Sequence, residues 1–107
     1  MAPYLAKNKA DFESQLKAAE GKLVVIDFFA TWCGPCKLMS PIFADLSEHY
    51  KDSVIFLTVD VDECEDLASE YEVSVMPTFV FIKNMKKLTT VSGASEAKLK
   101  SLLNKYK

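Results

Sequence analysis

The chain has 107 residues, half of them hydrophobic, and carries 13 lysines, no arginine and 15 carboxylates for a formal charge of −2. That is one domain's length, enough to bury a core without staples, and too apolar for a disordered chain. Arginine forks usually read guanine edges and phosphates, so their absence and the acidic balance argue against nucleic-acid binding. Acidic residues crowd positions 60–72 and lysines dominate 83–107, which reads as two solvated faces. The opening Met-Ala-Pro-Tyr-Leu-Ala-Lys shows no apolar signal core and no arginine-rich transit pattern, and no run reaches membrane-spanning length. The expected location is the cytoplasm, with no membrane partner.

Along the chain, Tyr4 to Ala6 reads as an edge strand. Asn8 to Ala19 reads as a helix with Asn8 as N-cap, Phe12, Leu16 and Ala19 on one face, and Gly21 as terminator. Leu23 to Ala30 is almost wholly apolar, which suits a strand buried on both faces. A helical pattern carrying Met39, Phe43, Leu46 and Tyr50 follows, with Pro41 expected to kink it. Val54 to Val59 is a second buried strand. Asp62 and Glu65 form a capping box that is expected to start a short helix running to about Tyr71. Thr78 to Ile82 and Lys87 to Val91 pair as a hairpin. Ser95 caps a last helix with Leu99, Leu102, Leu103 and Tyr106 on its buried stripe. Two strands joined by a long helix imply a parallel unit, and the hairpin implies an antiparallel side. The expected fold is α/β, a central mixed sheet flanked by helices on both faces.

Between the first buried strand and its helix stands Thr31-Trp32-Cys33-Gly34-Pro35-Cys36. In open α/β sheets, sites form at the carboxyl ends of strands. Residues three apart on a helix are neighbours, with Cα atoms roughly 5–6 Å apart, inside the range a disulfide accepts. Cys33 and Cys36 can therefore open and close a bridge with little backbone movement. Free N–H groups and the dipole at the helix start favour a thiolate on Cys33, which is expected to be exposed and to attack. Cys36, a turn deeper, is expected to be shielded and to resolve the mixed disulfide. Pro35 suits a first-turn position. A zinc site is the rival for a C-x₂-C pair, but only Cys64 and His49 remain as soft ligands and neither belongs to a second close pair. A purely structural bridge would close too short a loop to stabilise much.

Asp27 lies in the middle of the apolar strand. Either it is buried, with its pKa raised, and carries protons for the thiols, or it sits at an edge and reaches water. The nearby cysteines favour the first. Pro77 opens the strand from Thr78. By pattern alone it is an ordinary first-residue proline, with a cis bond shaping a substrate edge as the alternative.

Val-Val-Ile-Asp-Phe-Phe-Ala-Thr before Trp-Cys-Gly-Pro-Cys, then Met-Pro-Thr-Phe and Ser-Gly-Ala, resembles the thioredoxin family. Val-Asp-Val-Asp-Glu-Cys, Val59 to Cys64, resembles its animal cytosolic members. The likeness spans nearly the whole chain, so residues 1–107 are expected to form a single domain with the thioredoxin fold. It implies a protein disulfide reductase with Cys33 as nucleophile, Cys36 as resolving thiol and Asp27 as a buried acid–base helper beneath Cys36. It implies a cis Met76-Pro77 bond facing the sulfurs. The implied substrate surface comprises Trp32, Gly34, Pro35, Val75, Met76, Pro77, Gly93 and Ala94, with Ala68 and Val73 as an apolar rim. It further implies a monomer that holds no cofactor or metal and is re-reduced from NADPH by a flavin-containing thioredoxin reductase. Its implied substrates are disulfide-containing proteins such as peroxiredoxins.

Four positions depart from relatives. Thr58 stands where many bacterial members have a lysine near the buried Asp, so Asp27 works without that charge. Val75 replaces a cysteine that links two molecules in some animal members. Cys64 lacks its occasional partner, because Tyr71 stands there, and is expected to be an inert or modifiable thiol. Asn84-Met85 replaces a turn that usually has glycine second, and because methionine disfavours positive φ the turn is expected to change type. Among rival activities, a disulfide isomerase usually has Gly-His between its cysteines, and a glutaredoxin Pro-Tyr. A module that clamps partners with the same surface would keep binding without Cys33.

Overall fold

The computed structural model describes residues 3–107. In chain order the elements are β1 (Tyr4–Leu5), α1 (Lys9–Ala18), β2 (Leu23–Phe29), α2 (Gly34–His49), β3 (Val54–Asp60), α3 (Glu65–Glu70), β4 (Thr78–Lys83), β5 (Lys86–Ser92) and α4 (Glu96–Tyr106). They form a five-stranded mixed sheet ordered β1-β3-β2-β4-β5. β3 runs parallel to both β1 and β2, while β4 is antiparallel to β2 and to β5. The expected mixed sheet, flanked on both faces, is therefore found.

Strand alternation explains the two faces. Val24, Ile26 and Phe28 of β2 join Leu57, Val59, Val80 and Ile82 under Phe12 and Leu16 of α1 and Leu67 of α3. The alternate residues Leu23 and Val25 join Val54, Phe56, Phe79 and Phe81 under Met39, Phe43 and Leu46 of α2 and Leu99 and Leu103 of α4. Asp27 has the parity of the second set, so its side chain falls on the face that α2 covers.

Local chemistry sets the ends. Asn8 caps α1, its side chain accepting from the Asp11 N–H at 2.8 Å, and Ser95 caps α4, accepting from Lys98 N–H at 3.3 Å. Helix α1 stops at Ala18, and the left-handed turn after it starts at Glu20, one residue before Gly21. Helix α2 continues through Pro41.

Two expectations fail here. The Asp62–Glu65 capping box is not formed: Cys64 occupies the N-cap of α3 without a side-chain cap bond, and Asp62 is engaged elsewhere. The β4–β5 turn also keeps the twist its strands demand. Asn84 and Met85 both take positive φ, 53° and 66°, as in a type I′ turn. The right-handed twist of the hairpin overrides the methionine's preference.

Candidate active site

The antiparallel placement of β4 and β5 brings four strand ends to one edge. Phe28 near the end of β2 pairs with Thr78 at the start of β4, and Thr78 pairs with Ser92 at the end of β5. Phe29 pairs with Asp60 at the end of β3. Helix α2 begins at this edge, and the cysteines sit in its first turn.

Cys33 and Cys36 are joined as a disulfide, with Cα atoms 5.3 Å apart. Cys33 is the N-cap of α2, with extended backbone, and its Sγ accepts the Cys36 N–H at 3.2 Å. Sγ of Cys33 also lies 3.6 Å from the Met76 carbonyl oxygen. Pro35 occupies the first turn, where a missing N–H costs no helical bond. The expected contrast in exposure is not found: Cys33 is 5% exposed and Cys36 4%. The Cys33 sulfur turns inward to the helix N–H, and Val61, Phe29 and Met76 pack around the pair. The asymmetry lies in their surroundings. Cys33 faces the Met76 carbonyl, whereas Cys36 opens on a cleft of about 520 Å³ that also contains Asp27, Lys37, Ser40 and Thr58.

Asp27 is 4% exposed on the central strand β2, which rules out an edge position. Its Oδ1 has no hydrogen-bond partner among the described residues. Burial pushes its carboxyl up to about 7. Thr58 is its register neighbour on β3 and supplies no charge to offset that burial.

The opposite wall is the start of β4. The Met76–Pro77 bond is cis, with Met76 half-buried, Pro77 buried and Val75 exposed. The Thr78 hydroxyl donates to the Val75 carbonyl. Gly93, with φ +95°, donates its N–H to the Pro77 carbonyl at 2.9 Å, tying the end of β5 to this segment. A β-carbon there would meet nothing within 4 Å, so it is the backbone conformation that calls for glycine. Ala94 beside it, and Gly34 and Pro35 on α2, are exposed. Ala68 and Val73 sit at the end of α3, bonded to each other through the Val73 N–H at 2.8 Å; Val73 packs on the α1–α3 core and not around the cysteines.

Trp32 is 66% exposed, yet its indole N–H donates to Asp62 Oδ2 at 2.9 Å. Sequence reading missed Asp62 and Val61 as site residues. The available signal was their position just past a buried strand at the carboxyl edge of the sheet. Cys64 is buried at the start of α3, its Sγ 3.6 Å from the Lys7 carbonyl. Burial, then Asp66, Asp60 and Glu63, raises its thiol pKa, so it is not poised to react. Among the described residues no group of three or more His, Cys, Asp or Glu is placed to hold a metal ion.

A cysteine pair that bridges across the first turn of a helix, at the carboxyl edge of a mixed sheet, makes this chain a thiol–disulfide oxidoreductase acting on protein disulfides. The thioredoxin family's sequence profile matches residues 3–105. The Homo sapiens thioredoxin is 54% identical over 98 residues, 92% of each chain. The structure of reduced Schistosoma mansoni thioredoxin pre-protein superposes with a TM-score of 0.94 at 48% identity, covering all of both chains. Fasciola hepatica thioredoxin gives 0.94 at 41% identity, covering 97% of this chain and 99% of its own. The chain belongs to the thioredoxin family.

Proposed function

We propose that the chain works as a single monomeric domain that reduces protein disulfides in the cytoplasm, with Cys33 attacking and Cys36 resolving. The observation that carries this assignment is the unequal setting of the two sulfurs. Cys33 accepts a helix N–H, which stabilises its thiolate, and Cys36 shares a cleft with Asp27.

The steps follow. The Cys33 thiolate attacks one substrate sulfur; the substrate S–S bond breaks and the departing sulfur takes a proton. Asp27, whose carboxyl titrates near 7, accepts the Cys36 proton. The Cys36 thiolate then attacks Cys33 Sγ and releases the second substrate sulfur. Two electrons have moved to the substrate, and the bridge seen in the structure is the product. Trp32, Gly34, Pro35, Val75, Met76, Pro77, Gly93 and Ala94 present the docking surface. The exposed Val75 and the half-buried Met76 offer backbone to an extended substrate segment, while Ala68 and Val73 extend the rim. No helix among the described residues is long and apolar enough to cross a membrane. The protein holds no cofactor of its own. NADPH returns the electrons through a flavin-containing thioredoxin reductase, and peroxiredoxins are among the substrates.

The test couples the purified protein to NADPH, an animal thioredoxin reductase and insulin. NADPH oxidation that requires this chain, and that Cys36→Ser abolishes, is the expected result. A folded, fully reduced protein that yields no turnover overturns the assignment.

A further inference from the structure

The cleft beside Cys36 has a volume of about 520 Å³, within the range that takes a small organic ligand. Leu5 of β1, Phe29 and Ala30 at the end of β2, and Ala44 of α2 give it apolar walls. Asp27 lies against the same space from the middle of β2, only 4% exposed, and none of the described residues donates a hydrogen bond to its Oδ1. An apolar cleft with one buried carboxylate and no cation against it is half of an ion pair.

The groups that face this carboxylate confirm the imbalance. Its register neighbours are Thr58 on β3 and Phe79 on β4, both uncharged. The N-terminal segment contributes Pro3 and Leu5 to the cleft, also uncharged. Helix α2 contributes Cys36, held in the disulfide, and Lys37, which is exposed. Burial is the sole cause that moves the Asp27 carboxyl, so no cation offsets it, Lys37 included. An anion in the cleft would be repelled, and an apolar molecule would leave the carboxylate unpaired. An organic cation satisfies both the carboxylate and the walls.

We propose that this cleft is a binding site for a small organic cation, an ammonium or amidinium on an apolar body, whose N–H groups pair with the Asp27 carboxylate while the body packs on Leu5, Phe29 and Ala44. The site goes beyond disulfide exchange, and the oxidised protein already presents it. Because the cation pairs with ionised Asp27, its affinity falls as pH drops through about 7. Reciprocally, a bound cation holds Asp27 ionised to lower pH.

Benzamidinium is the probe, with benzamide as its neutral isostere and benzoate as the anionic one. Each is titrated into the oxidised, isotope-labelled protein at pH 8 and pH 6, followed by amide shifts and by the Asp27 carboxyl carbon in NMR spectra. Variants are checked for folding by circular dichroism. At pH 8 benzamidinium is expected to bind with a Kd on the order of 1–10 mM, as suits a one-ring molecule, with shifts centred on Asp27, Cys36, Ala44 and Thr58. At pH 6 binding is expected to be about tenfold weaker, because only about a tenth of Asp27 is then ionised; pairing with ordinary surface carboxylates would show no such change. At ten times its Kd the probe is expected to lower the Asp27 pKa by about one pH unit. Benzamide and benzoate are each expected to bind at least about tenfold more weakly at pH 8. Asp27→Asn is expected to lose about tenfold or more in affinity together with the pH dependence. Ala44→Leu, which narrows the cleft from α2, is expected to weaken binding and to leave the Asp27 titration in place. No saturable binding, shifts centred on another face, equal affinity at the two pH values, benzamide binding as tightly as benzamidinium, or undiminished binding in Asp27→Asn overturns the proposal. If Ala44→Leu does not fold, the benzamide and Asp27→Asn comparisons decide it. A protein that binds the probe in this way but does not reduce insulin refutes the oxidoreductase reading and leaves the site standing.

Discussion

Asp27 carries the sharpest energetic signature in the molecule. In an unfolded chain its carboxyl ionises near 3.8, and in the fold near 7 because burial penalises the charge. Between those values the folded state holds a proton that the unfolded state has lost. Stability therefore falls as pH rises across that window, and above the folded pKa the full cost, about 4 kcal/mol, is present. Asp27→Asn is expected to flatten the profile between pH 4 and 7 and to stabilise the protein at pH 8 by about 2–4 kcal/mol, read from denaturant midpoints. The same change should slow the resolving step by about one to two orders of magnitude at neutral pH, because Cys36 loses its proton acceptor. An unchanged pH slope in the variant would place the titration elsewhere. Both the cysteine pair and this aspartate were legible in the sequence, one by spacing and the other as a lone carboxylate in an apolar strand. The similar burial of the two sulfurs was not, since it depends on Met76, in the segment just before β4, packing against the pair.

Helix ends and turns show where local patterns prevail and where they yield. Asn8 and Ser95 cap their helices as their sequence positions announce, because each bond closes within three residues. Ser95→Ala is expected to cost about 1 kcal/mol in urea denaturation, and no loss would contradict the cap. At α3 the local signal misleads. Asp62 reads as a cap but bonds an indole 30 residues away, and no nearest-neighbour pattern encodes that partner. The β4–β5 turn misleads in the opposite direction. Its residues argue against a type I′ shape, yet strand twist imposes one and leaves Met85 at φ 66°. A left-handed methionine costs about 1–2 kcal/mol that glycine avoids, partly offset by glycine's greater unfolded entropy. Met85→Gly should therefore raise stability by about 0.5–1 kcal/mol with the redox chemistry unchanged. A lower denaturation midpoint would show that the exposed methionine makes contacts that outweigh its strain.

The whole molecule explains why such distant residues meet. Two parallel strands joined by α2 set the cysteines at a carboxyl edge, and the antiparallel pair β4–β5 returns Met76-Pro77 and Gly93 to that same edge. The β-α-β unit and the hairpin were readable from hydrophobic periodicity. Periodicity alone does not reveal the meeting of Cys33 with Met76; the family resemblance implied it, and the placement of β4 beside β2 accounts for it physically. One edge of the sheet thus holds both cysteines, the buried Asp27 and the backbone of Met76-Pro77 and Gly93, the set to which the proposed mechanism assigns attack, resolution, proton transfer and docking. The central claim is the order of attack, and trapping tests it most directly. Reduced Cys36→Ser and Cys33→Ser proteins would be mixed with oxidised insulin and examined by non-reducing mass spectrometry. The account predicts a covalent adduct through Cys33 that persists in Cys36→Ser, because nothing resolves it, and no adduct in Cys33→Ser. An adduct that forms through Cys36 in Cys33→Ser, with none in Cys36→Ser, would reverse the two roles and contradict the account.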